Sequence, residues 1–592
     1  MVTRRRHLAV YTLAIFLAGV PIAYSQSVAG EEALDITDSV VYSQTKCSER
    51  LLTELASEPG QIPVWIFLED RDPRRFPSRG NPGTISERAS RRRALRATAA
   101  SDESDYPVQK TYIDAIRQRV ARIRHVSRYL NAVSAEIDAT QIESIESLPF
   151  VKRIDRVSVY RKVDDFVAES PDPLSACDDP LGGTYGRSLD QLQQINSADL
   201  LELGYNGSGA VSAADPILIC LLDTGYRLGH EAFEHLSVIS QYDFIQYDSV
   251  TSNEEGDHPE QDRHGTVVLG AIAGYHEGEL IGPAWGADFL LAKTEIREVE
   301  IEAEEDKWIA GLEWADSAGA DIVSSSLGYI DWYTRGMLDG DTPLCTRAAD
   351  IAAGHGVLVV TAAGNLGIYG DTTLIAPADA DSVITVGAVD RYGLRAYFSS
   401  RGPTADGRIK PDLMAMGRGV YTVDWGTIGG YAYGDGTSLS TPLIAGLCAQ
   451  LLEIDPGMGP IEVRESLTES ASNSATPDNY YGYGIPDALL AAGIDPPERP
   501  GSIVLNGAYP NPFRSNTRFD IFIPEGDPLS VRIYDTRGAL VRNLISNRIL
   551  PWGGNLTWDG RNDAGRMVAA GLYFMHFRSP RYERTVKVLR VP

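Results

Sequence analysis

The chain has 592 residues, which at roughly 150 residues per domain leaves room for about four folded units. With 43% apolar and 23% charged residues it is composed like a water-soluble globular protein, which excludes a polytopic membrane protein and a largely disordered one. The 54 Lys and Arg against 81 Asp and Glu leave a formal charge of -27, which repels phosphate backbones and anionic lipid and argues against nucleic-acid partners.

Arg4, Arg5 and Arg6 precede an apolar run over residues 8–22, and Ala23-Tyr24-Ser25 places small residues where a signal peptidase reads. Residues 1–25 therefore read as a cleaved secretory signal; the run is interrupted by Pro21 and is short for a span of about 20 residues, so no membrane span is expected in the mature chain. Of the 5 cysteines, Cys220 and Cys448 lie in apolar runs and read as buried small hydrophobes, which leaves Cys177 with Cys345 as the one pairing to propose.

Residues 60–165 read as a small α+β unit. Residues 64–68 form a short apolar strand, Val133, Ala135 and Ile137 alternate on one side of another, Ile142, Ile145 and Leu148 follow at helical spacing, and residues 151–154 close the unit as a strand. Five arginines between Arg88 and Arg96 make its middle basic within an acidic chain, either as a solvated helix face or as a charge complement to an acidic partner domain. Residues 166–188 turn to Asp, Pro, Ser and Gly, which is linker chemistry open to proteolytic nicking.

Residues 189–491 alternate apolar strands at 217–222, 289–292, 322–326, 357–361 and 383–386 with helix-compatible stretches. That rhythm predicts an α/β fold, a parallel sheet covered by helices on both faces. A proline-bearing linker at 492–500 follows, and residues 501–592 carry short alternating strands and turns that predict a small β-sandwich.

Reactive groups of an open parallel sheet gather at the carboxyl ends of its strands, and four segments of the middle unit offer them. The strand at 217–222 runs into Asp223-Thr224-Gly225; Asp262-Arg263-His264-Gly265-Thr266 opens an apolar helix; the strand at 357–361 leads to Gly364-Asn365; and Gly436-Thr437-Ser438-Leu439-Ser440-Thr441-Pro442 opens another helix. Each alone has an ordinary structural reading as a cap or a turn. Together they supply the parts of a serine nucleophile: an imidazole to take its proton, a carboxylate to hold the imidazole and an amide donor for the oxyanion. The order Asp, His, Ser matches one of the known triad orders.

These motifs, above all Gly-Thr-Ser-x-Ser-x-Pro around Ser438, resemble those of the subtilisin-like serine peptidases, the subtilases. The resemblance spans roughly residues 189–491 and implies Ser438 as nucleophile, His264 as general base and acid, Asp223 as its orienting carboxylate and Asn365 as oxyanion donor. It also implies that Ser326, Leu327 and Gly328 pair with an extended substrate, and that Ala363, Gly364, Leu366 and Ile375 help shape the specificity pocket, with Ile375 at its base and Leu366 at its rim. The family often keeps a second histidine where Val267 stands here.

By the same resemblance, residues 26–165 are an inhibitory propeptide, most similar over 129–154, and the tail is similar to Ig-like sorting domains that engage a bacterial secretion machinery. The expectation is a secreted or cell-surface bacterial endopeptidase that acts on proteins or peptides, is inhibited by its own propeptide and needs no cofactor. Structural calcium is common in the family; Glu254-Glu255-Gly256-Asp257 could serve it or be a solvated loop, so no metal ligand is assigned. Two other readings compete: a non-catalytic adhesin or scaffold on this fold, and an aspartic peptidase built on Asp223-Thr224-Gly225.

Overall fold

The structure is a computed structural model. It describes residues 45–48, 51–52, 60–71, 85–98, 101–157, 159–160, 167–168, 182–212, 214–297, 303–330, 333–495, 504–522, 528–549, 553–579 and 582–592. The expected signal segment and Cys177 lie outside these residues; Cys220, Cys345 and Cys448 are buried.

The N-terminal unit is a four-stranded sheet in the order β2-β3-β1-β4, built from β1 (Ile62–Leu68), β2 (Arg122–Ser127), β3 (Ala132–Ile137) and β4 (Val151–Arg156), with every pairing antiparallel. Helices α1 (Glu87–Leu95), α2 (Lys110–Arg117) and α3 (Ile142–Glu146) complete it. All seven residues of β1 are buried because both of its faces are covered. Ile62, Val64, Ile66 and Leu68 join Ile116, Ile142 and Ile145 in the unit's own core, while Trp65 and Phe67 point the other way into a cluster with Trp308, Ile309 and Leu312 of the central unit. Strand alternation thus gives the sheet one face for itself and one for its neighbour.

The central unit holds a seven-stranded sheet in the order β11-β10-β9-β8-β5-β7-β6. Its strands are β5 (Leu218–Asp223), β6 (Ser237–Asp243), β7 (Asp288–Lys293), β8 (Ile322–Ser325), β9 (Leu358–Ala362), β10 (Ile384–Val389) and β11 (Leu413–Met416), all paired in parallel. Helices α4 (Arg263–Ala273) and α7 (Thr437–Ile454) pack in one large apolar cluster on one face of the sheet; α5 (Glu305–Ala318) and α6 (Leu344–Gly354) cover the other face. The helix α7 is long and apolar enough to cross a membrane, but 94% of it is buried within the protein, as befits a core helix.

After residue 504 the described chain forms two antiparallel sheets, of three and of four strands. Phe519 of one and Val531, Ile533, Met575 and Phe577 of the other share one apolar core with Trp558 and Phe513.

Candidate active site

Four strands of the central sheet end nearly level: Lys293 of β7 is level with Asp223 of β5, and Ser325 of β8 is level with Leu222 of β5 and Thr361 of β9. The residues that follow these ends therefore emerge on one edge. The backbone of α4 meets that edge closely, because a Cβ at position 265 would lie 2.2 Å from the Gly225 carbonyl and Gly225 itself has φ +135°. Two glycines allow the approach. It brings His264 Nδ1 to 2.7 Å from Asp223 Oδ1, with Asp223 fully buried. Asp223 Oδ1 also accepts the Thr224 amide at 2.7 Å. An ionised carboxylate only accepts, so Nδ1 carries the imidazole proton and Nε2 is left as an acceptor.

Ser438 is the second residue of α7, so its amide is among the N-terminal donors that lack an intrahelical acceptor, at the positive end of the helix dipole. Pro442 lies four residues on and has no N–H to give the Ser438 carbonyl. Ser326 Oγ takes over, donating to that carbonyl at 2.8 Å, and in return Ser438 Oγ donates to the Ser326 carbonyl at 3.3 Å. The substrate-strand residue and the serine are thereby locked together. Asn365 is held from the same turn: its Oδ1 accepts from the Thr437 amide at 2.9 Å and from Thr437 Oγ1 at 3.0 Å, which leaves its NH2 group for the cleft.

The cleft is lined by His264, Ser438, Asn365, Ser326, Leu327, Gly328, Gly364 and Ile375, joined by Glu295, Ala362 and Thr437. Ile375 sits between the two glycines: Cβ atoms there would lie 2.5 Å from its side chain at Gly328 and 3.1 Å at Gly364. Asp223 stands behind His264. Ala363 is buried in the core beyond the cleft, and Leu366 is half-buried, with its amide bonded to Ser400 Oγ; neither lines the cleft.

Glu295, which the sequence reading did not single out, is 3% exposed and accepts from the Tyr329 hydroxyl. Burial and that carboxylate push the Tyr329 hydroxyl well above its ordinary pKa, so it stays a donor. The signal was there in Lys293-Thr294-Glu295, three polar residues closing an apolar strand.

An imidazole tied to a buried carboxylate, beside a serine at a helix start and an oriented amide, defines a serine hydrolase built on a parallel sheet. Comparison with known proteins narrows the class. Residues 214–484 match the subtilase family, and residues 63–169 match the peptidase S8 propeptide domain of Bacteroidota. The chain is 31% identical to subtilisin of Bacillus pumilus over 51% of its length and 97% of that protein. It is 31% identical to subtilisin DY of Bacillus licheniformis over 49% and 93%, and 28% identical to subtilisin E of Bacillus subtilis over 64% and 85%. The chain belongs to the subtilase family: it is a subtilisin-type serine endopeptidase with a Bacteroidota-type propeptide.

Family membership sets aside the two competing readings. The non-catalytic scaffold gives way to an endopeptidase, and Asp223 is no half of an aspartic dyad, since it holds an imidazole where that chemistry pairs two carboxylates. Subtilisins need no cofactor, and calcium sites are common among them. Asp243, Asp248 and Glu254 bring carboxylate oxygens within 4.8 Å of one another, a donor set suited in type to calcium. The buried Lys293 ammonium already lies 2.7 Å from both Asp243 and Asp257, so part of this acidic group is neutralised by the chain itself.

Proposed function

We propose that the chain is made as a secreted preproenzyme that matures itself and hydrolyses peptide bonds through Asp223, His264 and Ser438. Ser438 Oγ attacks the scissile carbonyl carbon as its proton passes to His264 Nε2; the oxyanion is received by the Ser438 amide and the Asn365 NH2 group. The imidazolium then protonates the leaving amine, the C–N bond breaks, and water repeats the sequence on the acyl-enzyme. The reading rests on the cleft in which the Asp223-bound His264, Ser438 and Asn365 meet. Turning the Ser438 hydroxyl from the Ser326 carbonyl toward His264 completes the relay, a bond that often tightens only with substrate present.

The domains follow as signal 1–25, propeptide 26–165, processing linker 166–188, catalytic domain 189–491, linker 492–500 and an Ig-like sandwich 501–592 that serves secretion or surface retention in a bacterium. Self-processing is supported by two short strands. Val159–Tyr160 pairs with Ala303–Glu304, and Val167–Ala168 pairs with Gly434 and Asp435, just before Ser438. The cut is therefore expected within residues 162–166, where the propeptide meets the linker. A fluorophosphonate probe should label the wild-type protein and not Ser438→Ala, and purified Ser438→Ala should stay at precursor length. Normal maturation of that variant in the absence of other proteases would refute self-cleavage.

A further inference from the structure

The arginine helix α1 is not part of the propeptide sheet; it lies against the catalytic domain where α5 and α6 both end. Arg88, Arg92 and Arg96 recur every fourth residue and so share one face of the helix. Arg88 pairs with Asp321 at 2.9 Å, Arg92 with Asp316 at 2.5 Å, and Arg96 with Asp321 at 2.9 Å. Further guanidinium N–H groups reach backbone carbonyls: Arg88 reaches Gly319, just past α5, and Pro216, shortly before β5; Arg92 reaches Ala320 and His355 and Arg96 reaches Gly356, all just past α5 or α6. The socket thus combines two carboxylates with the carbonyl ends of two helix dipoles, which attract cations. It suits the planar, forked guanidinium, which can bond a carboxylate and a carbonyl at once, better than a point-like ammonium. Arg91, by contrast, points to solvent, 3.4 Å from the exposed Asp215, a pairing of small consequence.

Asp321 immediately precedes β8 and Ser326 immediately follows it. At about 3.3 Å per residue the socket and the cleft are roughly 16 Å apart, at opposite ends of one strand. A segment bound in the socket leaves the cleft open.

We propose that, once the propeptide has left, this socket is an exosite of the mature protease for arginine-rich helical segments of protein substrates, with arginines at every fourth position. The inference rests on the proposed maturation, since α1 fills the socket until then. Capture at the socket raises the effective concentration of the scissile segment at the cleft.

Binding can be tested apart from catalysis. In the full chain carrying Ser438→Ala, the added changes Arg88→Ala, Arg92→Ala, Arg93→Ala and Arg96→Ala take the helix's arginines out of the socket, Arg93 included because it lies 3.2 Å from Asp316, while Arg124, 2.9 Å from Asp306, still helps hold the propeptide sheet. A fluorescent peptide of residues 85–98 should bind this chain, more weakly as salt rises. It should bind at least tenfold more weakly to the chain with its own arginines, to the open chain with Asp321→Asn, and when its arginines are replaced by lysines. Asn at 321 can still accept the Leu218 amide that Asp321 accepts at 3.0 Å. If the open chain does not fold, the self-processed enzyme freed of residues 26–165 takes its place in the titration. Equal binding to open and filled chains, or indifference to Asp321→Asn, overturns the socket.

The processed enzyme should cleave a reporter protein fused to residues 85–98 with KM at least tenfold lower, and kcat unchanged, relative to a fusion with the same residues scrambled off one face. Equal KM for both fusions overturns the exosite even though the enzyme is active. Failure to cleave any reporter counts against the proposed maturation and catalysis, and the titration then still decides the socket.

Discussion

The carbonyl of Ser438 shows how a single imino acid shapes the site. Pro442 removes one helix hydrogen bond, and the gap is filled by Ser326 Oγ, so the proline in the motif ties Ser438, the proposed nucleophile, to the segment following β8 rather than merely starting a helix. Thr437 does the same for Asn365 by engaging its Oδ1 twice. Asn365→Ala should therefore fold normally yet lose on the order of 10²- to 10³-fold in kcat, the usual cost of one oxyanion donor; steady-state kinetics showing a loss below about threefold would remove Asn365 from the mechanism. Ile375 fills the space that Gly328 and Gly364 leave open; with Ile375 at the base of the specificity pocket, as the subtilase resemblance implies, the pocket for the residue before the scissile bond is expected to be short. Ile375→Gly should shift preference toward larger apolar side chains by about 1 to 3 kcal/mol, as read by profiling with a peptide library. A wild-type preference for Phe, Arg or Lys at that position would contradict the short pocket.

Helix α5 carries Asp306, Glu313 and Asp316 to the propeptide, where Arg124, Ser127, Arg128 and Tyr129 meet them. His355, just past α6, joins this contact: its Nε2 lies 3.1 Å from Asp102 and 2.9 Å from Ser104 Oγ, its Nδ1 lies 3.0 Å from Asp316, and Tyr129 stands edge-on at 5.5 Å, with Arg92 bonded to its carbonyl. Burial opposes its charge and Arg93 repels it, yet Asp102 and Asp316 win and hold its pKa above 6.5. The hydrogen bond from His355 in turn holds the Asp102 carboxyl below its ordinary range. A raised imidazole pKa stabilises the contact below the ordinary value, and this contribution is lost as pH rises through the raised one; the lowered carboxyl contributes above its ordinary range and loses that as pH falls. The propeptide should thus leave the processed complex more slowly near pH 6 than near pH 8.5, with a change of at most about tenfold per pH unit for one proton. Dissociation of labelled propeptide should show this, and His355→Gln should flatten it; equal wild-type rates at both pH values would count against the histidine. The sequence made some elements plain and hid others for physical reasons. The strands at 217–222, 289–292, 322–326, 357–361 and 383–386 were legible because burial on both faces makes them continuously apolar. By contrast, β6 is a half-exposed edge strand, SVISQYD, and β11 is four residues without a β-branched side chain; neither carries a pattern. Nor does β2, whose arginines find their carboxylates in Glu136 of the neighbouring strand and, for Arg124, in Asp306 of α5. The motifs that carry Asp223, His264, Asn365 and Ser438 were readable as fixed local patterns, whereas Glu295 had only the polar end of an apolar strand to mark it, and its hydrogen bond from Tyr329 is a contact between separate segments.

At the scale of the whole molecule, a net charge of -27 coexists with a basic helix, for which the sequence left open a solvated face or a complement to an acidic domain: Arg88, Arg92, Arg93 and Arg96 meet Asp316 or Asp321, while Arg91 stays on the solvated side beside Asp215. The tail is held by different means. Its core, from Phe513 to Val588, is drawn among the described residues entirely from the tail itself, and the apolar clusters that hold the catalytic domain take no described residue from it. A unit that closes its own core can stay folded without its neighbour. Deleting residues 501–592 should therefore leave kcat/KM on a short peptide within about twofold of the full chain, since the described apolar clusters of the two parts share no residue. The catalytic domain's melting temperature should be unchanged, while export or surface retention is altered. Calorimetry of the full chain should resolve a separate transition for the tail. A joint collapse of activity and thermal stability on deletion would mean instead that tail and catalytic domain fold as a single cooperative unit.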